Sequence, residues 1–122
     1  MGKKVWVVED DPSIAEIIAY TLEDDGFVVG LFSSAATFID ALKSGQNGVD
    51  IFVLDVRLPD GSGLELCRMV REHPIFSEVP VLIMSAHADG DEVERTYPVN
   101  GFISKPFDLD DFSKQIALNI AS

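Results

Sequence analysis

Short runs of apolar, largely β-branched residues alternate along this chain with stretches whose apolar positions recur every three or four residues. The runs predict strands over Lys4–Val8, Phe27–Phe32, Asp50–Leu54, Val81–Met84 and Gly101–Ser104. Between them the helical period places Ile14, Ile17, Ile18, Thr21 and Leu22 on one face, with Pro12 suited to the first turn and Gly26 to the stop. A second helix starts at Ser34, groups Phe38, Ile39 and Leu42, and ends near Gly45. A third follows Gly63 with Leu64, Cys67 and Val70, and the chain leaves it before Pro74. The stretch 89–97 offers only Val93 and Tyr97 as an apolar face before Pro98, so a short, marginal helix is expected there. The last helix carries Leu109, Phe112, Ile116 and Ile120 and is capped by Asp108.

Strands alternating with helices imply βαβ crossovers and a parallel sheet covered on both faces. Strands that are apolar throughout, without polar alternation, agree with burial on both sides. The expected class is therefore α/β, with residues 1–122 forming one domain; 122 residues suffice for a single core and not for two. No repeat, linker or low-complexity stretch interrupts the pattern.

In open parallel sheets, ligands sit outside the carboxyl ends of the strands. After the first strand stand Glu9, Asp10 and Asp11; the third ends in Asp55, the fourth in Ser85 and the fifth in Lys105. Three adjacent carboxylates repel one another and lose water when buried, so they need a compensating charge. A hard divalent cation supplies one, and Mg²⁺ in particular takes few protein oxygens alongside water and phosphate. A carboxylate also serves as a nucleophile toward phosphorus. Phosphoryl transfer then asks chiefly for alignment and for a metal, an ammonium and a hydroxyl to stabilise the phosphoryl oxygens. Each such part occurs in this set.

Charge and composition narrow the function further. Twenty-one acids against 9 bases give a net charge of −12, which opposes direct binding to nucleic acid. The acids crowded into the last third read as a solvated face. The apolar runs are too short to cross a membrane or to form a signal peptide. A lone cysteine, Cys67, rules out an internal disulfide and suits the cytoplasm.

The blocks "VVEDDPSI", "VLDVRLPDGSGLELCR", "VLIMSAHA" and "GFISKPF", in this order, resemble the receiver domain of two-component response regulators, from Lys3 to Ala121. That resemblance implies a flavodoxin-like, doubly wound sheet of five parallel strands in the order 2-1-3-4-5. It implies that Asp55 is the phosphoacceptor, supplied by a histidine kinase or a histidine phosphotransfer protein. Asp10 and Asp11 match the metal-binding acids, with Asp11 the more direct ligand, and the backbone carbonyl of Arg57 completes the protein's share of the Mg²⁺ shell. Glu9 matches neither role and is expected to face solvent. Lys105 matches the phosphate-pairing lysine, Ser85 the switch hydroxyl and Phe102 the switch aromatic. Lys105-Pro106 stands where receivers carry a cis peptide. Arg57 and His87 each lie two residues beyond a site residue, where they could overhang the phosphoryl group; an exposed loop position is the simpler reading of His87. Asp60-Gly61-Ser62-Gly63 reads as turn chemistry leading into the third helix. Such a domain is a phosphoacceptor rather than a turnover enzyme, and its output goes to a downstream protein or effector domain. No effector domain follows Ser122, as expected of a stand-alone receiver or of a segment of a longer protein.

Three rival readings are weaker. A haloacid-dehalogenase-type phosphatase wants a second aspartate two residues after the nucleophile, where Arg57 stands. A flavin binder wants hydroxyls, not carboxylates, after the first strand. A pseudo-receiver, acting only as a protein-interaction module, usually lacks an acid, the acceptor or the lysine, and all are present here.

Overall fold

The computed structural model describes residues 2–45, 48–86 and 99–120. The expected helix over 89–97 and the loop residue His87 lie outside them. Five parallel strands form the main sheet: β1 (Lys4–Val8), β2 (Val28–Phe32), β3 (Ile51–Asp55), β6 (Val81–Ala86) and β7 (Gly101–Lys105), in the order β2-β1-β3-β6-β7. Counting these five alone, the order is 2-1-3-4-5. Two short strands, β4 (Arg57–Leu58) and β5 (Gly61–Ser62), pair antiparallel as a small hairpin. The described helices are α1 (Pro12–Asp24), α2 (Ala35–Lys43), α3 (Gly63–Glu72) and α4 (Leu109–Ile120).

The period-two geometry of the strands divides the core into two layers. Trp6, Val8, Phe52, Leu54, Val81 and Ile83 face α2 and α3, where they meet Phe38, Leu42, Cys67 and Val70. Val5, Val7, Ile51, Val53, Leu82 and Met84 face α1 and α4, against Ile18, Leu22, Phe112 and Ile116. The central strands are buried on both sides as their composition implies. The edge strand β2 is not: Val28 and Leu31 are exposed, because β2 lies at the outer rim of the sheet. Ile17 is likewise half exposed, one position off the buried stripe of Ala15, Ile18 and Leu22.

Trp6 organises the first layer. Its ring meets Phe32, Phe38 and Phe52 edge-on at centroid distances of 5.0, 6.1 and 5.9 Å, an arrangement favoured by the ring quadrupoles. Gly30 makes room for it; a Cβ there would lie 2.8 Å from Trp6 Cδ1.

Capping follows the local sequence. Ser34 Oγ accepts from Thr37 N–H, Ser62 Oγ from Leu64 N–H, and Asp108 Oδ1 from Asp110 N–H at 2.7 Å. Gly26, at φ 96°, ends α1 in the left-handed region that suits glycine.

Candidate functional site

Strand register brings the site together. Val8 lies opposite Leu54, Asp55 opposite Met84, Ser85 opposite Ser104 and Ala86 opposite Lys105. Asp55, Ser85 and Lys105 stand in these pairs and Glu9 one step past Val8, so all four emerge on the same edge, at the switch between β1 and β3, whose following helices α1 and α3 lie on opposite faces. They line a cleft of about 330 Å³ with Asp10, Asp11, Ile14, Val56 and Arg57.

Lys105 Nζ donates to Asp55 Oδ2 at 2.7 Å and to Glu9 Oε1 at 2.8 Å. Both acids are almost fully buried, at 5% and 2% exposure, so each needs its charge met inside the protein. Burial pulls the Lys105 pKa down, but the hydrogen bonds to Asp55 and Glu9 and the negative charges of both acids together outweigh it and leave the ammonium above the ordinary lysine value. The Lys105-Pro106 peptide is cis, as expected. Ser85 is buried at the end of β6. Phe102, on β7, borders a separate surface cavity with Ile103, Phe107 and Leu118.

Two expectations about the acidic run need correction. Glu9 does not face solvent. Its backbone N–H extends the β1–β2 ladder to Phe32 O at 3.0 Å, which fixes the side chain inward, where Oε1 meets Lys105 and Oε2 accepts from Asp11 N–H at 3.1 Å. Nor is Asp11 among the converging acids. It borders the cleft, but its Oδ1 caps α1, accepting from Ser13 N–H at 2.9 Å and Ile14 N–H at 3.2 Å. Among the described residues, the carboxylates whose oxygens lie within 4.8 Å of one another are those of Glu9, Asp10 and Asp55. The adjacent acids that converge with Asp55 are thus Glu9 and Asp10, one residue earlier than the pair to which the resemblance points. A signal was available: an aspartate directly before Pro12 carries the N-cap and first-turn signature of a helix start.

Asp55 is held by its own loop. Val56 N–H donates to Met84 O and Gly63 N–H returns to Val56 O, both at 3.0 Å. Arg57 N–H points to Asp55 Oδ1 at 3.4 Å, a long contact. Gly63 is obligatory at this turn, because a Cβ there would lie 2.1 Å from the Asp55 carbonyl oxygen.

Chemically, the cleft holds two buried carboxylates beside an ammonium, two exposed acids at its border and a buried hydroxyl. It combines a nucleophile for phosphorus with a cluster of hard oxygens suited to a divalent cation. None of the described helices is long and apolar enough to cross a membrane.

Comparison with known proteins agrees with this geometry. Residues 5–117 match the model of the response regulator receiver domain. The chain is 36% identical over 109 residues to the DNA-binding transcriptional regulator NtrC of Proteus hauseri, a match covering 88% of this chain and 22% of NtrC. It therefore spans about a fifth of that relative's length. The non-phosphorylated HemR receiver domain of Leptospira biflexa superposes with a TM-score of 0.86 at 30% identity, covering 98% of this chain and 94% of that one. The receiver domain of the sensor histidine kinase PA1611 of Pseudomonas aeruginosa, solved with a magnesium ion coordinated in its active-site cleft, superposes with a TM-score of 0.87 over 100% of both chains. At 24% identity the latter shows the fold alone. Matched over nearly its whole length, with the same strand order, this chain belongs to the receiver domains of two-component response regulators.

Proposed function

We propose that Asp55 accepts a phosphoryl group, in a Mg²⁺-dependent reaction, from a histidine kinase or a histidine phosphotransfer protein. One observation carries this reading: the two hydrogen bonds from Lys105 that hold Asp55 and Glu9 together at the mouth of β1 and β3. A surface lysine would not be fixed between two buried acids. In the transfer, an Asp55 oxygen forms its bond to phosphorus as the phosphorus bond to the donor's nitrogen breaks.

The residues present fit Mg²⁺. Three carboxylates converge with hard oxygens, and Asp10 opens the cluster to solvent, leaving room for water and phosphate. Asp10 and Asp55, with the Arg57 carbonyl, would hold the ion, and Glu9 would neighbour it while anchoring Lys105. Bound there, the ion would offset the acids and the charge of the incoming phosphoryl group. Lys105 pairs with a phosphoryl oxygen, and Ser85 supplies a hydroxyl to another. Movement of Ser85 toward the phosphoryl group and of Phe102 into the vacated space would bias an output surface toward a second state.

In this reading residues 1–122 form a single receiver, a signalling module rather than a turnover enzyme. A downstream protein or effector domain reads its state, with no direct contact to nucleic acid by this chain. A pseudo-receiver role finds no support in a site whose acceptor, acids and lysine all converge. The test is intact mass after incubation with Mg²⁺ and acetyl phosphate. Wild type should gain one phosphoryl group and Asp55→Asn none; equal labelling of both would refute the assignment.

A further inference from the structure

The tip of the hairpin that follows Asp55 is fastened to a distant helix. Asp60, between β4 and β5, accepts from Ala35 N–H through Oδ1 at 2.8 Å and from Ala36 N–H through Oδ2 at 3.0 Å. These are the first two residues of α2, 25 and 24 positions away in the chain. The helix does not depend on Asp60 for its cap, because Ser34 already accepts from Thr37 N–H. Ala36 is exposed, so water could satisfy its N–H instead. What the carboxylate adds is a tie between two segments. Hairpin and helix also approach closely: a Cβ at Gly61 would lie 3.2 Å from Ala35 Cβ. Placed at the positive end of α2, Asp60 is held below the ordinary carboxylate pKa by the Ala35 and Ala36 N–H groups, so it is ionised at neutral pH.

At its other end the hairpin meets the cleft. Its outer strand begins at Arg57, two residues after Asp55, and its base closes where Gly63 N–H meets Val56 O. Between base and tip the ladder consists of two residue pairs, Arg57 with Ser62 and Leu58 with Gly61. So short a ribbon has little stiffness of its own, and a tie at its tip adds to the restraint that its base places on the Arg57 backbone.

We propose that Asp60 is a positioning residue for the acidic cleft: by tying the hairpin tip to α2 it holds the Arg57 carbonyl where Mg²⁺ binds. The inference rests on the reading of the cleft as a Mg²⁺ site. Residues that orient metal ligands typically change metal affinity about 10- to 100-fold when removed.

Three variants test it by calorimetric titration with MgCl₂, with backbone amide exchange measured on the metal-free proteins. Asp60→Ala removes the tie. Ala36→Pro removes one donor from the helix side at a first-turn position that tolerates proline, without changing charge. Asp60→Asn keeps an acceptor for Ala35 alone. Asp60→Ala should bind Mg²⁺ about tenfold more weakly, with Ala36→Pro and Asp60→Asn in between. In all three, exchange at Arg57 and Leu58 should quicken while β1 and β3 stay protected. At saturating Mg²⁺, phosphorylation by acetyl phosphate should approach the wild-type rate, since binding rather than chemistry is impaired. Unchanged Mg²⁺ affinity in a folded Asp60→Ala protein would reduce Asp60 to a helix cap and overturn the proposal. A loss in both Asp60 variants with none in Ala36→Pro would also overturn it, since the effect would then be charge at a distance. Wild type that binds no Mg²⁺ would refute the reading of the cleft itself, and the inference with it.

Discussion

Lys105 Nζ lies 2.7 Å from Asp55 Oδ2, although 50 residues separate them in the chain. The contact exists because β7 ends beside β6, which in turn pairs with β3, so that the last residue of one outer strand reaches the last residue of the central one. Glu9 completes the bridge from β1. Three strands therefore converge on one ammonium.

Removing that ammonium should destabilise the metal-free protein. Breaking a fully buried pair costs about 3–5 kcal/mol, but the Lys105 side chain is 25% exposed, so about 2 kcal/mol is expected for Lys105→Ala. Because the folded pKa of Lys105 is raised, its contribution is complete below the ordinary lysine pKa and is lost as pH rises through the folded value. Melting temperatures of wild type and Lys105→Ala should thus differ at about pH 8 and converge as pH rises past the ordinary lysine pKa. A gap that stays constant over that range would assign the loss to packing alone.

The two neighbouring aspartates should behave oppositely. Asp10→Asn relieves repulsion in the acidic cluster and should stabilise the metal-free fold by about 1 kcal/mol. Asp11→Ala removes the cap of α1 and should destabilise it by about 1 kcal/mol. Added Mg²⁺ should raise the melting temperature of Asp11→Ala as it does that of wild type, and raise that of Asp10→Asn far less. The reverse pattern would restore Asp11 as the metal ligand. Matched monovalent salt provides the control for screening.

Gly63→Ala should be among the most damaging small substitutions in the chain. The new methyl group would meet the Asp55 carbonyl, which is backbone and cannot rotate away. A loss of about 3 kcal/mol is expected from such overpacking, read by chemical denaturation with Trp6 fluorescence. Near-wild-type stability would mean that the α3 entry can shift without disturbing Asp55.

Much of this was legible in the sequence because the signals are local. Apolar runs of four or five residues between turn residues give the strands, and their uninterrupted apolarity in β1 and β3 tells of burial on both faces. The strand-end positions of Asp55, Ser85 and Lys105 follow from the same runs. What was not legible depends on a one-residue register or on distant partners. Glu9, Asp10 and Asp11 are chemically alike, and which of them turns inward is decided by whether β1 pairing continues through Glu9 to Phe32 and where α1 begins. The exposure of Val28 and Leu31 depends on β2 lying at the sheet edge, which strand composition does not encode. Asp60, read locally as a turn residue, owes its partner to the packing of the hairpin against α2.

If phosphoryl transfer ends on Asp55, the product can be trapped there chemically. An aspartyl-phosphate is an acyl phosphate, and borohydride reduces it to the alcohol, converting the modified aspartate to homoserine. Wild type incubated with Mg²⁺ and acetyl phosphate, reduced, digested and mapped by mass spectrometry, should show homoserine at position 55 and at no other aspartate. The same treatment without Mg²⁺ should leave Asp55 largely unmodified. Reduction products at Glu9, Asp10 or Asp11 with Asp55 intact, or none under conditions where Mg²⁺ binding is demonstrated, would contradict transfer to Asp55.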